Sequence, residues 1–300
     1  MIRAWFVGSL LALPTFLNAE VVDKKIDAAG VARVVIDIPR GRVSIKGVKT
    51  DSIAVAGEID DDRHEFVFQR KGDRAELRVE MSDNGSWGGG KQTDLTVEVP
   101  ESGVVVWVNG IATQITVSDV MSNTRIDTVS GDIRLTNIGS LRNHHTIASV
   151  SGEVELTNVR GAMVLSSVSG DVSGRVESEN LRANVVSGEL TLVMDKLLQV
   201  AVTSVSGDIS LTGTARNEAP YSDIKLSTVN GEALLRINAD YQGLLRLQTG
   251  PGGDIENHLT EARAQASFLG EQHLKLQLGQ LKNEVDLSTV SGTLVLTPNQ

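Results

Sequence analysis

The sequence predicts an all-β fold: a β-solenoid, similar to a parallel β-helix, built from coils of roughly 20 residues and closed by an irregular N-terminal β cap. Three observations predict it. A phrase of the form Val-Ser-Gly-Asp/Glu recurs, apolar residues alternate around it, and only 3% of the residues are aromatic, so Val, Ile, Leu and Ala must form the core. The glycines of this phrase and its looser copies are Gly131, Gly152, Gly170, Gly188, Gly207, Gly231 and Gly292.

The spacing of these glycines gives the length of a coil. Successive spacings among the first six are 21, 18, 18, 19 and 24. A unit this short cannot bury its apolar face alone, so it must stack on its neighbours. We expect room for two more coils between Gly253 and Gly292, with a degraded turn near Gly270, and a weak upstream copy of the phrase that ends at Gly110.

The apolar residues of one unit do not share a single face. Counted from the glycine, positions −2, +2 and +4 are apolar and have one parity, whereas the apolar position −5 has the other. A straight strand cannot point both sets inward, so the chain must turn a corner. We expect the corner between positions −5 and −2, with the valines at position −2 inside the solenoid and the glycine supplying the freedom to bend.

The chain upstream of the repeats is also β-like. Residues 20–105 contain segments that alternate strictly between apolar and polar, such as residues 95–99, but they do not show the clear repeat. We interpret this region as the N-terminal cap and residues 106–300 as the solenoid. A cap is expected because an open β edge promotes aggregation.

Residues 1–19 are typical of a signal peptide. Arg3 precedes an apolar run that Pro14 ends, and Ala19 supplies a small residue for cleavage. The alternative is a buried N-terminal helix, but the run is too short for a membrane span and alternating polar sequence follows it. We therefore expect a periplasmic or secreted protein with no transmembrane segment after cleavage.

Cysteine content and charge restrict the classes further. The chain contains no cysteine, so we expect it to have no lipid anchor attached through cysteine and no disulfide framework. Its 28 Lys and Arg face 38 Asp and Glu, and loss of Arg3 with the leader would leave 27 against 38, a net charge of −11. Because an acidic surface repels phosphate backbones, we expect no nucleic-acid partner.

The repeated phrase, together with residues 41–47 (GRVSIKG) and the leader, resembles the bacterial putative adhesin family with β-strand repeats, a family defined by a domain of unknown function. The resemblance extends over most of the chain after the leader. It implies a β-solenoid in the cell envelope or outside the cell. It brings no catalytic residues to this chain.

The acidic residues after the repeat glycines are candidates for an interaction surface. If the coils stack in register, they form a ladder, and Trp87 in a glycine-rich loop is a further candidate contact. Calcium is one hypothesis for such a ladder, but calcium-binding β-rolls use glycine-rich nonapeptides, which only residues 250–254 partly resemble, so we predict no cofactor. The candidate ladder residues are Asp132, Glu153, Asp171, Glu189 and Asp208.

The other groups of polar residues do not indicate a catalytic, nucleotide or metal site. Residues 85–93 approach a phosphate-binding loop, but Gln92 replaces the hydroxyl residue and a strand follows instead of a helix. The acidic cluster at residues 58–65 and the pair His144-His145 could hold a cation, yet adjacent strand residues point to opposite faces, and we interpret both as solvated loops. The serines recur in every unit, whereas a nucleophile needs one set of partners, so we predict no catalytic or metal residues.

Two functions remain open from the sequence. The leading hypothesis is an exported, non-catalytic β-repeat protein of the bacterial cell envelope, with an adhesin-like or scaffold role toward an unknown envelope protein or surface ligand. The alternative is a polysaccharide-active β-helix enzyme, a lyase or hydrolase, for which Tyr221, Tyr241 and Trp107 are the candidate sugar platforms. An ice-binding face of aligned threonines is a third alternative.

Overall fold

The computed structural model describes residues 20–59, 64–81 and 92–299, and the expected signal peptide lies outside this part of the chain. Every regular element within the described residues is a β-strand. In chain order they are β1 (Glu20–Asp27), β2 (Arg33–Val48), β3 (Ser52–Ile59), β4 (His64–Lys71), β5 (Arg74–Met81), β6 (Asp94–Pro100), β7 (Val105–Ser118), β8 (Thr124–Ser130), β9 (Ile133–Ile138), β10 (His144–Ser151), β11 (Val154–Arg160), β12 (Ala162–Ser167), β13 (Val172–Glu177), β14 (Asn180–Val185), β15 (Leu190–Leu197), β16 (Gln199–Ser204), β17 (Ile209–Ala215), β18 (Asp223–Thr228), β19 (Glu232–Ile237), β20 (Gly243–Thr249), β21 (Asp254–Asn257), β22 (Gln265–Ala266), β23 (Gln272–Leu278), β24 (Glu284–Thr289) and β25 (Thr293–Pro298). A search of these residues finds no helix with the length and apolarity of a membrane span.

The strands form two ladders of mostly parallel strands. The first ladder has the order β4-β5-β2-β7-β8-β10-β12-β14-β16-β18-β24-β20-β23-β22. The second has the order β1-β3-β6-β2-β7-β9-β11-β13-β15-β17-β19-β25-β21. The long strands β2 and β7 run through both ladders, and each later coil has one strand in each. The predicted all-β solenoid is therefore confirmed.

One apolar core lies between the two ladders. Residues at position −5, such as Ile126 and Val202, meet residues at positions +2 and +4, such as Ile133 and Leu211, in a single buried cluster. The core is almost entirely Val, Ile, Leu and Ala, as the low aromatic content predicts. Because each coil contributes the same positions, the core continues from one coil to the next.

The valines at position −2 face solvent, so the expectation that they lie inside the solenoid is wrong. All seven are 40–53% exposed, whereas the small hydroxyl residues at −3 are only 3–6% exposed. The inward-facing positions are odd up to −3 and even from +2 onward, so the change from one parity to the other occurs inside the phrase itself. Positions −3 and −5 therefore share the inward face. At the Gly207 corner the inward hydroxyl satisfies the backbone: Ser204 Oγ donates to the Gly207 carbonyl at 2.8 Å and accepts from the Gly207 N–H at 2.9 Å.

The N-terminal cap is stacked directly on the repeats. Strand β2 pairs with β7 in parallel register from Arg33↔Val105 to Lys46↔Ser118, and β5 and β6 lie on its other side. The ladders are thus continuous across residue 105, where the repeat pattern predicts the end of the cap. Antiparallel strands then cover this end, since β4 pairs with β5, and β3 and β1 follow β6.

At the C-terminal end the order of the coils in space differs from their order in sequence. Strands β24 and β25 lie between the coil of β18 and β19 and the coil of β20 and β21. The expectation of two coils between Gly253 and Gly292 is wrong, because residues 265–278 form a β22–β23 hairpin instead, and β23 pairs antiparallel with β20. This hairpin covers an edge of the first ladder that a further coil would leave open.

Asn283 joins the inserted last coil to its two neighbours. Its side-chain Nδ2 donates to the carbonyl of Gln242 at 2.8 Å and also to that of Arg216. Its Oδ1 accepts the Ser222 N–H at 2.7 Å, and the Asn283 side chain is almost completely buried. One amide therefore satisfies backbone groups from both coils between which the last coil is inserted.

Substitution Asn283→Ala is expected to lower the free energy of unfolding by about 3 kcal/mol, because it leaves buried backbone groups without partners. Urea unfolding followed by circular dichroism measures the change. The matched control is Asn217→Ala, whose exposed side chain bonds only Asp240 at 3.2 Å, and which should change the free energy by less than about 0.5 kcal/mol. Equal effects of the two variants would contradict the role of Asn283.

Candidate interaction surface at the repeat corner

The repeat glycines stack in one column along the corner. The structure places a Cβ built on each of them against the backbone of the coil below, most often at the carbonyl of the previous repeat glycine. For Gly207 that Cβ would lie 1.8 Å from the Gly188 carbonyl oxygen, and for Gly170 it would lie 2.0 Å from the Gly152 carbonyl oxygen. No side chain fits in this space. The column includes all seven glycines singled out in the sequence, namely Gly131, Gly152, Gly170, Gly188, Gly207, Gly231 and Gly292.

The column continues upstream through Thr113 and not through Gly110. Thr113 is in register with Gly41, and its carbonyl is the neighbour of Gly131. Its buried Oγ1 donates to the carbonyl of Ile38 at 2.5 Å. The expectation of an upstream copy of the phrase at Gly110 is therefore wrong by three positions.

The serine before each glycine holds the corner of the previous coil. Its N–H and its Oγ both donate to the carbonyl of the residue at position −2 one coil below. For Ser187 and Val168 these distances are 2.8 Å for the N–H and 3.1 Å for Oγ. The Oγ bond recurs at 3.1–3.4 Å from Ser130, Ser151, Ser169, Ser187, Ser206 and Ser291. These hydroxyls are part of the scaffold.

The acidic residues after the glycines form an exposed ladder on the outside of the corner. Aspartate and glutamate alternate from coil to coil, and each aspartate accepts the backbone N–H of the following glutamate. Asp171 Oδ1 accepts from the Glu189 N–H at 2.8 Å, and Asp132 and Asp208 bind in the same way at 3.1 and 2.8 Å. We define the acidic ladder as Asp132, Glu153, Asp171, Glu189, Asp208 and Glu232. All six residues are exposed.

The other sequence candidates do not join this surface. Trp87 and the acidic residues 60–62 lie outside the described residues, as does most of the glycine-rich segment 85–93. Within the described part of the chain, no three His, Asp or Glu side chains are grouped closely enough to hold a metal ion.

The two adjacent histidines have different environments. His144 is exposed, whereas His145 is 1% exposed and lies in β10, so its interpretation as a solvated loop residue is wrong. The His145 Nε2 lies 2.8 Å from the Arg160 carbonyl, which can only accept, so Nε2 carries the proton. Nδ1 then accepts from the Thr124 hydroxyl at 2.8 Å. Burial lowers the pKa of His145 because the charged imidazolium loses hydration.

The three candidate sugar-platform residues, Trp107, Tyr221 and Tyr241, are not grouped on one open face. The guanidinium of Arg33 lies 4.0 Å from the centre of the Trp107 ring, and the Arg125 guanidinium lies 5.9 Å from it. Tyr241 is buried and donates to the Leu244 carbonyl at 3.3 Å, whereas Tyr221 is partly exposed. These three side chains are therefore not arranged as neighbouring exposed rings.

A second column of polar residues, which the sequence did not predict, lies where strands β7, β9 and β11 of the second ladder end. Asp119, Asn137 and Asn158 have φ of 58°, 56° and 54°, the left-handed conformation that Asn and Asp tolerate. The Asn137 Nδ2 donates to Asp119 Oδ1 at 3.1 Å, and the Asn158 Nδ2 donates to Asn137 Oδ1 at 3.2 Å. The signal was present as the phrase Leu-Thr-Asn-Ile/Val, which occurs twice with its asparagines one coil apart.

The stacked corners and paired ladders define a parallel β-repeat domain. The chain belongs to the Toastrack DUF4097 family, whose model matches residues 31–242, and this confirms the resemblance to a repeat family of unknown function. No curated protein matches the chain. The matched segment begins just before β2 and ends just after β19, so it contains the glycine column up to Gly231.

Two solved structures are similar over most of their length. A "putative cell adhesion protein" from Clostridium sporogenes has 10% sequence identity and a TM-score of 0.23, with coverage of 94% of this chain and 100% of the other. A "putative lipid binding protein" from Parabacteroides distasonis has 13% identity and a TM-score of 0.43, with coverage of 93% and 97%. At these scores neither structure extends the assignment beyond the family.

Substitution Gly207→Ala is expected to destabilise the protein by about 3 kcal/mol, because the new methyl group would overlap a backbone carbonyl that cannot move independently. The control is Gly270→Ala, where φ is +86° but no atom lies within 4 Å, so only about 1–2 kcal/mol of backbone strain is expected. Urea unfolding of both variants compares close approach with strain. A larger loss for the control would refute the stacking argument.

His145 is expected to make stability depend on pH. Since its pKa is lowered on folding, the unfolded chain binds the proton first as the pH falls below about 6.5. The free energy of unfolding should therefore be unaffected by this group above pH 7 and decrease as the pH falls toward 5.5. Unfolding at pH 7.5 and 5.5 should show a smaller decrease in His145→Gln than in the wild type, whereas His144→Gln, which leaves the buried His145 in place, should keep most of the decrease.

Proposed function

We propose that this protein is an exported, non-catalytic β-repeat protein of the bacterial cell envelope that acts as an adhesin-like or scaffold module. The observation that carries the proposal is the acidic ladder. It places a carboxylate outside each of six successive coils, in register, on a backbone whose spacing is fixed by the glycine column. A rigid row of like charges suits recognition of an extended partner better than chemistry at one point.

The acidic ladder fits a partner protein or surface ligand that carries positive charge. At a rung spacing of about 4.8 Å, six carboxylates extend over roughly 24 Å. They are exposed, so each contact contributes little alone, and the row acts by steering a cationic partner and fixing its orientation. Binding of this kind weakens as salt is added.

Two features support a non-catalytic role. The repeated serine hydroxyls donate to the corner backbone, so their recurrence has a structural reason. Trp107 stacks with Arg33, and Tyr241 is buried. Neither ring is free to bind a sugar, so they do not support the alternative of a polysaccharide-active enzyme. The leader-like sequence of residues 1–19 supports export.

Cross-linking in intact cells tests the proposal. The wild-type chain should be recovered in the envelope fraction and form discrete cross-linked products, which are identified by mass spectrometry. In the variant Asp132→Asn, Glu153→Gln, Asp171→Asn, Glu189→Gln and Asp208→Asn, those products should decrease at least tenfold. The amide oxygens still accept the neighbouring N–H groups, so the fold is retained.

The matched control neutralises five exposed carboxylates elsewhere: Asp23→Asn, Asp51→Asn, Glu218→Gln, Glu261→Gln and Glu271→Gln. This variant has the same net charge as the ladder variant and should retain the cross-linked products. Recovery of the chain outside the envelope would refute the location. Equal loss in both variants would show that net charge, and not the ladder, attracts the partner.

A further inference from the structure

The exposed side chains at position −2 form a continuous aliphatic row beside the corner. Backbone hydrogen bonds align each of them with its counterpart in the next coil, as in Val168 N–H to the Ser149 carbonyl and Val229 N–H to the Ser204 carbonyl. We define the valine ridge as Ile111, Val129, Val150, Val168, Val186, Val205, Val229 and Val290, each 40–53% exposed. Eight rungs at about 4.8 Å give a row roughly 34 Å long.

The composition of the ridge is not explained by strand propensity. Threonine is β-branched like valine and suits an outward strand position, yet none of the eight ridge positions is threonine. The polarity is the reverse of the usual one, since the hydroxyls at −3 are buried while the neighbouring aliphatic side chains face solvent. Single exposed valines are ordinary, but an unbroken row of eight indicates a surface that another molecule covers.

The face next to the ridge carries little net charge. The outward row two positions earlier is made of short, mostly uncharged side chains such as Ala148, Ser166 and Thr203. The charged residues on this face, from β8 to β20, are four cations and four carboxylates, which cancel. They are Arg125, Arg182, Lys225 and Arg246 against Asp127, Asp223, Glu284 and Asp286.

Most of these charges are paired within the chain. Arg125 lies 2.7 Å from Asp127, Lys225 lies 3.0 Å from Asp223, and Arg246 pairs with Glu284. In a chain with a net charge of −10, self-association brings like charges together unless the contact avoids the acidic surface. The ridge and its neighbouring face permit such a contact, whereas the acidic ladder lies on the other side of the corner.

We infer that the valine ridge is the contact between two copies of this chain, packed ridge against ridge and antiparallel about a two-fold axis perpendicular to the ridge. The periodicity identifies the partner. A second copy has the same rung spacing, so its valines can interdigitate over the whole ridge, a length of about 34 Å. The axis places Val168 of one copy beside Val186 of the other, and Ile111 beside Val290.

Other secondary structures do not match this period. An α-helix along the ridge has a pitch of about 5.4 Å, which is about 0.6 Å longer than a rung, and is half a rung out of register after about four coils. A single strand laid along the ridge presents the side chains of one face at intervals of about 6.6 Å. Either would contact a few valines and leave the others exposed.

Sedimentation equilibrium of the full-length protein, as purified from its producing cells, tests the inference. The wild type should be a dimer at 100 µM or below, and Val168→Lys with Val186→Lys should weaken association at least 100-fold. The control, Thr157→Lys with Thr214→Lys, adds the same charge to exposed positions of the second ladder and should remain dimeric. Val168→Thr with Val186→Thr, which keeps both residues β-branched, should weaken association while leaving urea unfolding of the monomer unchanged.

Disulfide formation tests the orientation, because the chain contains no cysteine of its own. Ile111→Cys mixed with Val290→Cys should form a mixed disulfide, and neither variant should form one alone. Like disulfides in either variant alone would overturn the antiparallel arrangement. A monomeric wild type at 100 µM, or a dimer that survives the lysine substitutions at the ridge, would overturn the inference. Neither outcome bears on the proposed role of the acidic ladder, which is measured by cross-linking to other proteins.

Discussion

The structure depends on the close approach of successive backbones at the corner. Each repeat glycine lies so near the coil below that even a Cβ would overlap its backbone. This contact holds the strands on both sides of the corner in parallel register, and the serine at −1 adds two hydrogen bonds to the carbonyl of the residue at position −2 one coil below. Once the register is fixed there, positions −5 to +4 of each repeat are aligned with their counterparts in the neighbouring coils, and shifts of register occur only further along the strands, as between Thr157 and Val159.

Alignment converts a short phrase into four parallel rows with different environments. The hydroxyls at −3 and the aliphatic side chains at +2 face the core, whereas the aliphatic side chains at −2 and the carboxylates at +1 face solvent on opposite sides of the corner. The acidic ladder and the valine ridge are thus close in sequence but lie on different faces. Like charges one rung apart repel one another, and the aspartates offset part of this repulsion by accepting backbone N–H groups.

The sequence predicts the fold class, the coil length and the role of the glycines because these follow from short-range, repeated signals. It does not predict the facing of Val168 and its counterparts, since hydropathy favoured burial of valine and parity favoured the hydroxyl at −3. Parity was the better guide, because −3 and −5 lie on the same face of a strand. The burial of His145 was also missed, since a polar side chain in a strand gives no sign that Thr124 and Arg160 will satisfy it.

Local sequence patterns do not predict the arrangement of the C-terminal coils, for a different reason. The alternation in β23 is the same for an antiparallel cap as for another coil, so residues 272–278 alone cannot distinguish the two. The distinction comes from partners distant in sequence: β24 pairs with β18, far earlier in the chain, and with β20 on its other side. The last coil therefore closes a gap between two coils that are already in the chain, and this long-range closure joins the antiparallel end cap to the repeats. Side chains at positions −2 and +1 face solvent, so substitutions there do not alter the core. The surface of the solenoid can therefore change at these two positions while the glycine column and the inserted coil preserve its fold.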